Sequence, residues 1–542
     1  MKRVDPFGFA RRLVTRWDLV AIILVIGLIA FLGDASSGLL QPLAKLEAVP
    51  LSLDPSHLPE YAARTTFRMF AALGLSLLFT LTYATWAAKS PRAGKVLVPI
   101  LDILQSVPIL GFISITVVFF MSLAPGRVLG AELASIFAIF TSQAWNMAFS
   151  FYQSLRTVPS ELTEAAESFH LSGWMKFWQL EVPFALPGLI WNTMMSMSGG
   201  WFFVVASESI SVGHTSIALP GVGSYIAYAI ERRDLGAIGW AILTMLVVIL
   251  LYDQLIFRPL VAWIDRLRFE QDSTGYRPRS WALTVMRRSR LISGVTKAFH
   301  AAIRWTSWAA PVGPSVQSNA ERQRRASRTD VFWFGLLVAV VGLALWHIVR
   351  VLFAATSVGE AAQVGGLAVL TMLRVFVLIA LASLVWVPVG VWVGLRPRVM
   401  EVVQPIAQFL AAFPANLLFP LAVYGIVTWK LNPDIWLSPL MILGTQWYIL
   451  FNVIAGASAI PGELRYAAQN FNVSGWLWWR KVALPAVFPF YVTGAITASG
   501  GSWNAAIVAE LANWGRRQVQ AHGIGAYIAD ATAAGNFHGV VL

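Results

Sequence analysis

A chain of 542 residues that is 57% hydrophobic and only 12% charged excludes a soluble globular fold, because soluble domains carry about a quarter charged residues. With no cysteine and seven histidines that show no metal-ligand spacing, it offers neither a disulfide framework nor a metal site. The net charge of +13 is spread mostly over short segments between apolar runs, the positive-inside pattern of a polytopic membrane protein, and lipid headgroups satisfy it without any nucleic acid.

The first apolar run, 19–32, reaches spanning length only with its flanks Trp17-Asp18 and Gly33-Asp34. Lys2, Arg3, Arg11, Arg12 and Arg16 before it could also open a secretory signal. Asp34-Ala35-Ser36-Ser37 is a weak cleavage site, so a retained helix is preferred. Further spans are expected at 67–88, 97–121, 130–151, 184–206 and 235–256. Six spans place the N-terminus, the basic connection 89–95 and the segment around Arg156 on the cytoplasmic side. The stretch 257–330, with Arg287-Arg288-Ser289-Arg290 and Arg322-Gln323-Arg324-Arg325, reads as a basic cytoplasmic linker. Within it, 281–308 is either an amphipathic surface helix or simply solvated. Spans resume at 332–353, 369–394, 401–427, 436–456 and 486–512.

The two series of spans are copies. Ala165-Ala166 and Ala467-Ala468 open segments that stay in register, without a gap, at an offset of 302 positions. Gly173-Trp174 matches Gly475-Trp476, Pro183 matches Pro485, Pro187 matches Pro489, Trp201 matches Trp503, Glu208 matches Glu510, and Gly223 with 225–227 matches Gly525 with 527–529. Trp145 and Phe149 match Trp447 and Phe451 in the same frame. The expected fold is therefore an all-α polytopic membrane protein of two tandem parallel-repeat modules of about six helices each. The modules are 1–256, with its core at 60–256, and 331–542, joined by the linker 257–330, and the pore belongs between them. Leu542 corresponds to Trp240, early in the sixth span of the first copy. The expectation is that the intact gene product continues into a final helix.

Between spans four and five, 161–174 has Leu162, Ala165, Ala166 and Phe169 at helical spacing, then a break at Ser172-Gly173, where glycine can take a positive φ, and a second short helix before Pro183. Helix, glycine turn and helix form a protruding knob suited to a groove on a partner. Glu164-Ala165-Ala166, followed seven residues later by Gly173 and then by Pro183, resembles the EAA loop of permease subunits of ABC importers.

That resemblance covers about 60–256 and 365–542 and implies a type I ABC importer fold in which each loop docks into a separate ATPase. The implied docking residues are Glu164, Ala165, Ala166, Gly173 and Trp174 in the first loop, and Tyr466, Ala467, Ala468, Gly475 and Trp476 in the second, where tyrosine replaces the family's glutamate. Ser106-Val107-Pro108, Phe413-Pro414 and Gly221-Val222-Gly223 are similar to the nitrate, sulfonate and taurine group. The implied partners are two ABC ATPase subunits and a periplasmic or lipid-anchored solute-binding protein, in a cell inner membrane. The chain carries no Gly-x-x-x-x-Gly-Lys-[Ser/Thr], its nearest approach being Gly94-Lys95-Val96, so it is not expected to be an enzyme and ATP and Mg belong to the partner ATPase.

Polar residues inside spans tend to face a bundle interior or a water-filled path. The candidates are Gln105, Ser106, Asn146, Ser198 and Trp201 in the first module, and Gln408, Asn416, Gln446, Ser499, Trp503 and Asn504 in the second. Glu208 and Glu510 close the fifth spans and read as an outer gate or as locally paired interfacial carboxylates. Otherwise the spans are expected to hold no cluster of cations and carboxylates, and 219–228 reads as a short re-entrant or interfacial helix. A secondary transporter or a non-transporting scaffold are the competing functions. Neither gives a reason for two docking loops.

Overall fold

The computed structural model describes residues 51–106, 113–212, 215–264, 357–515 and 517–536, with a few isolated positions besides. Most of the expected first span, most of the linker with 281–308, and part of the span at 332–353 lie outside the described residues.

The first module runs α1 (Leu58–Phe79), α2 (Pro91–Ser106), α3 (Ile113–Leu123), α4 (Val128–Arg156), the short α5 (Ser160–Ser168) and α6 (Gly173–Lys176), α7 (Val182–Glu208), a hairpin β1 (Ser209–Val212) and β2 (Thr215–Ala218), α8 (Val222–Arg232) and α9 (Leu235–Tyr252). The second runs α10 (Val358–Gly394), α11 (Pro397–Ala412), α12 (Phe419–Thr428), α13 (Pro433–Trp436), α14 (Gln446–Ser458), α15 (Gly462–Asn470), α16 (Gly475–Trp478), α17 (Leu484–Ala509), a hairpin β3 (Leu511–Trp514) and β4 (Arg517–Gln520), and α18 (Ile524–Ala533). Among the described residues five helices are long and apolar enough to cross a membrane, or seven if two bent pairs each count as one span.

Three expected spans are broken, each at a proline. Span 401–427 bends by 73° between Pro397–Ala412 and the following helix, because proline at 414 drives Phe413 out of the helical region to φ −70, ψ 128. Its counterpart, 97–121, is likewise two helices, α2 and α3, on either side of Pro108. Span 436–456 bends by 44°, whereas the equivalent α4 is one 29-residue helix. Pro439 and Gly444 stand in the second copy where Phe137 and Ser142 stand in the first, and each weakens a helix interior.

Within the bundle the usual polarity is inverted. Helix α1 turns Leu75 and Leu78 outward and buries Thr65, Arg68 and Ser76 with Leu58, Tyr61, Met69 and Ala72. Lipid solvates the apolar face, so the polar groups must find partners inside. Helices α4 and α7 form the most extensive pair of the first module, and α14 and α17 the corresponding pair of the second. Helix α7, 27 residues long, extends about 40 Å, which separates a loop end carrying α5–α6 from a hairpin end carrying β1–β2.

The hairpins are not in the sequence reading. Ser209–Val212 pairs antiparallel with Thr215–Ala218, and Leu511–Trp514 with Arg517–Gln520. The second turns on Gly515, whose φ of +59 suits a two-residue connection. Each hairpin reaches across: β1 packs on α18 and β3 on α8, and the Gly515 N–H donates to the Ile230 carbonyl at 3.0 Å. Such a reciprocal exchange is what two parallel copies related by a pseudo-two-fold produce.

Candidate functional site

At the loop end, α5 and α15 close with the same hydrogen-bond pattern. Leu171 and His170 N–H groups donate to the carbonyls of Ala166 and Glu167, and Val473 and Asn472 to those of Ala468 and Gln469. This is the Schellman closure, which needs one left-handed residue. That residue is His170 (φ 50) in the first loop and Asn472 (φ 52) in the second. The expected break at Ser172-Gly173 is thus corrected: the first turn is made by His170, and Ser172 caps α6 by accepting from the Met175 N–H. Only the second loop adds a positive φ at glycine, +58 at Gly475.

Each loop turns apolar side chains to solvent. Leu162, Phe169 and Trp174 are exposed in the first, and Leu464, Tyr466, Phe471 and Trp476 in the second. Glu164, Ala165 and Gly173 are exposed as well, Ala467 is half-buried and Gly475 exposed, while Ala166 and Ala468 are buried and anchor their helices. The loops differ in their roots. In the first, Lys89 at the end of the α1 extension pairs with Glu181 at 2.8 Å and lies over Phe177, 5.0 Å from the ring centre. Position 483, the match of Glu181, is alanine.

Between the modules the predicted path residues divide. Ser198 donates to the Ala411 carbonyl, Asn416 Nδ2 to the Phe202 carbonyl at 3.0 Å, and Tyr448 to the Met195 carbonyl at 3.4 Å, all across the module boundary. Ser198 and Gln408 line a cavity of 30 Å³ together with Tyr252, Asp253 and Phe451. That volume suits about one water molecule. Other candidates make bonds within a module. Asn146 Nδ2 donates to Ser196 at 3.1 Å, Gln446 accepts from the Trp386 indole at 2.9 Å, and Asn504 donates to the Gly500 carbonyl at 3.3 Å. Trp201 is fully buried and packs edge-on against Tyr252, so it belongs to the first module's core. Trp503 packs on the core in the second module, Ser499 is half-buried, Gln105 is exposed on α2, and the Ser106 side chain lies outside the described residues.

At the hairpin end Glu208 and Glu510 are locally paired, as the second of their two readings expects, but in the interior of the bundle. Both are fully buried, not interfacial, and each is the hub of a charge cluster. Arg68 Nε and Nη2 donate to the two Glu132 oxygens at 2.6 Å each, and Nη1 donates to Glu208 at 2.7 Å and to the Pro220 carbonyl at 3.0 Å. Thr65 Oγ1 donates to Glu208 at 2.6 Å and accepts from the Val222 N–H at 3.0 Å, and the Gly223 N–H donates to Glu208 at 2.6 Å. The second module repeats this. Arg374 donates to Asp434 at 2.8 Å, to Glu510 at 3.2 Å and to the His522 carbonyl at 2.5 Å. Thr371 donates to Glu510 at 2.8 Å and accepts from the Ile524 N–H at 3.0 Å, and the Gly525 N–H donates to Glu510 at 2.7 Å. Each cluster clasps the helix after the hairpin, α8 or α18, to the second, fourth and fifth spans of its module.

The family model for the inner membrane component of binding-protein-dependent transport systems matches residues 77–267 and again 386–539. The chain belongs to this family. Two matches in one chain give the duplication seen in the helices, and the chain is a multi-pass membrane protein. It is 28% identical over 186 residues to the glycine betaine/carnitine transport permease protein GbuB of Listeria monocytogenes, a match covering 33% of the chain and 59% of the relative. It is 31% identical over 152 residues to the bicarbonate transport system permease protein CmpB of Synechococcus elongatus, 28% of the chain and 51% of the relative. The nitrate import permease protein NrtB of Leptolyngbya laminosa is 27% identical over 169 residues, 31% of the chain and 57% of the relative. The chain thus spans between half and three-fifths of the length of these relatives.

In this chain, sequence reasoning missed Arg68, Glu132, Arg374 and Asp434. The signal was available: Thr65 and Arg68 match Thr371 and Arg374 at an offset of 306, and Glu132 matches Asp434 at 302. An intramembrane charge recurring in both copies marks a site that needs its partner. The clasps also explain the glycines around them. A Cβ at Gly223 would lie 2.2 Å from the Val205 carbonyl oxygen, and one at Gly525 would lie 2.5 Å from that of Ala506. Backbone cannot yield as a side-chain end can, so Gly223→Ala should push α8 off α7 at a cost of about 1–3 kcal/mol or more. Thermal unfolding of the detergent-solubilised chain measures it, and an unchanged midpoint would show that α8 shifts freely.

Proposed function

We propose that the chain is the transmembrane subunit of an ATP-driven ABC importer that forms the path for a small, anionic solute. Two separate ABC ATPase subunits dock on α5–α6 and α15–α16, and bind the ATP and Mg. The observation that carries this reading is the pair of matching knobs with exposed apolar tips at the same end of two related modules, in a chain with no phosphate-binding loop of its own. Apolar side chains held out on a rigid turn are groove-filling anchors.

The remaining parts follow from the same reading. The loop end faces the cytoplasm of a cell inner membrane, with the N-terminus and the 257–330 linker on that side. The hairpin end faces a periplasmic or lipid-anchored solute-binding protein. Modules 1–256 and 331–542 part along the seam that the Ser198–Ala411 and Asn416–Phe202 hydrogen bonds mark. The anionic class is supported by the bicarbonate and nitrate permeases among the relatives. Reconstituted with its ATPase and binding protein, the chain should import solute only when ATP and both partners are present. Ion-gradient-driven uptake by the chain alone would overturn the proposal in favour of a secondary transporter.

A further inference from the structure

The two clasps have the same plan and different chemistry. In the first, Arg68 and both its carboxylates are almost inaccessible, with side-chain exposures of 1% for Arg68, 6% for Glu132 and 0% for Glu208. Glutamate at 132 is long enough to take both N–H groups of the guanidinium fork, the strongest geometry available to this pair. The carbonyl that receives Arg68 belongs to Pro220, which adds no polar side chain. In the second, aspartate at 434 is one methylene shorter and holds Arg374 through a single oxygen, Oδ1. Arg374 is 12% and Asp434 34% exposed. The place of Pro220 is taken by the exposed His522, whose N–H and Nδ1 both reach Asp434, at 2.7 Å and 3.1 Å.

Opening the first clasp strands three charges away from water. Opening the second lets water replace the bonds to Asp434 as they break, and ion pairs that water can reach contribute little.

We propose that the clasps form one asymmetric closure of the hairpin end, in which the first is a fixed pin and the second a releasable latch, so that α18 lifts while α8 stays seated. Because each hairpin packs on the other module's helix, with β1 on α18 and β3 on α8, lifting α18 uncovers β1 and opens the seam from one side only. The residues that set the asymmetry are Asp434 and His522 against Glu132 and Pro220.

The absence of cysteine makes the test direct. Ala229 and Ala531 are matched positions, both buried, one on each helix. Ala229→Cys and Ala531→Cys chains are prepared separately in open membrane fragments, where a soluble maleimide reaches both faces, and each labelling rate is divided by that of the same chain in denaturant. The expected result is normalised labelling at least about tenfold faster at 531 than at 229, further accelerated severalfold at 531 by Asp434→Asn and restored by Asp434→Glu. A tenfold ratio corresponds to about 1.4 kcal/mol between the two opening equilibria. Equal rates, or a faster rate at 229, would overturn the asymmetry. A fast rate at 531 that ignores both Asp434 variants would assign the opening to fraying of the helix end and overturn the latch. Labelling needs neither ATPase nor solute, so its failure is distinguishable from a failure of the importer reading.

Discussion

Exchange of Arg68 for methionine should destabilise the folded chain by about 3–5 kcal/mol, because it leaves Glu132 and Glu208 facing each other with their cation gone. The charge is not easily replaced. Arg68 makes four hydrogen bonds, to two carboxylates and a carbonyl, from helix α1 alone. Through them it joins α4, α7 and the turn before α8. The matched Arg374→Met should cost less, since Asp434 is open to water and Glu510 keeps the N–H groups of Gly525 and Ala526 and the hydroxyl of Thr371. A triple exchange, Arg68→Met with Glu132→Leu and Glu208→Gln, should recover much of the loss, because removing the whole buried set also removes its desolvation penalty. Unfolding midpoints of the solubilised variants give the order: Arg68→Met lowest, the triple variant between it and the unaltered chain. If Arg68→Met melts with the unaltered chain, the cluster does not hold α8 in place.

The spans and the duplication were legible because lipid demands long apolar runs, and two copies in fixed register leave a trace that no folding detail obscures. The clasps were hidden by helix boundaries. Arg68 lies second in the expected span 67–88 and Glu132 third in 130–151, where a charge at a membrane edge is ordinary. The helices begin earlier, α1 at Leu58 and α4 at Val128, and hairpin and α8 cover that end, so both charges are interior. Four-residue strands such as Ser209–Val212 alternate too briefly to stand out beside 27-residue helices, although Ser-Ile-Ser-Val followed by Thr-Ser-Ile-Ala carries the alternation of a strand pair. The loop turns were misplaced by three residues in the first copy because glycine is the usual left-handed residue, while histidine and asparagine hold that place here. Of the candidate path residues, those that bond across the boundary, Ser198 and Asn416, look in sequence no different from Asn146 and Gln446, which bond within a module. Only the packing of the two halves separates them.

Placing aspartate at both loop tips, Phe169→Asp with Phe471→Asp, should leave the fold intact and abolish retention of the ATPase. These two rings are 78% and 81% exposed, so they contribute little to the chain's own packing, and a surface substitution of this kind is within about 0.5 kcal/mol. In the proposed complex each would fill a groove, where loss of a buried aromatic anchor costs about 2 kcal/mol or more, or roughly a factor of 30 in affinity. With both loops engaged on one ATPase pair the two losses compound, to about three orders of magnitude. Proline at the loop glycines is a less even probe. Gly173 is the first residue of α6 behind its Ser172 cap, a place that accepts proline, whereas the φ of +58 at Gly475 excludes it. Gly173→Pro should therefore keep the first dock while Gly475→Pro distorts the second, which makes the pair of single variants a measure of how unequally Glu164 and Tyr466 share the ATPase. Purification of the double aspartate variant with a stoichiometric ATPase would remove the docking role from both loops at once.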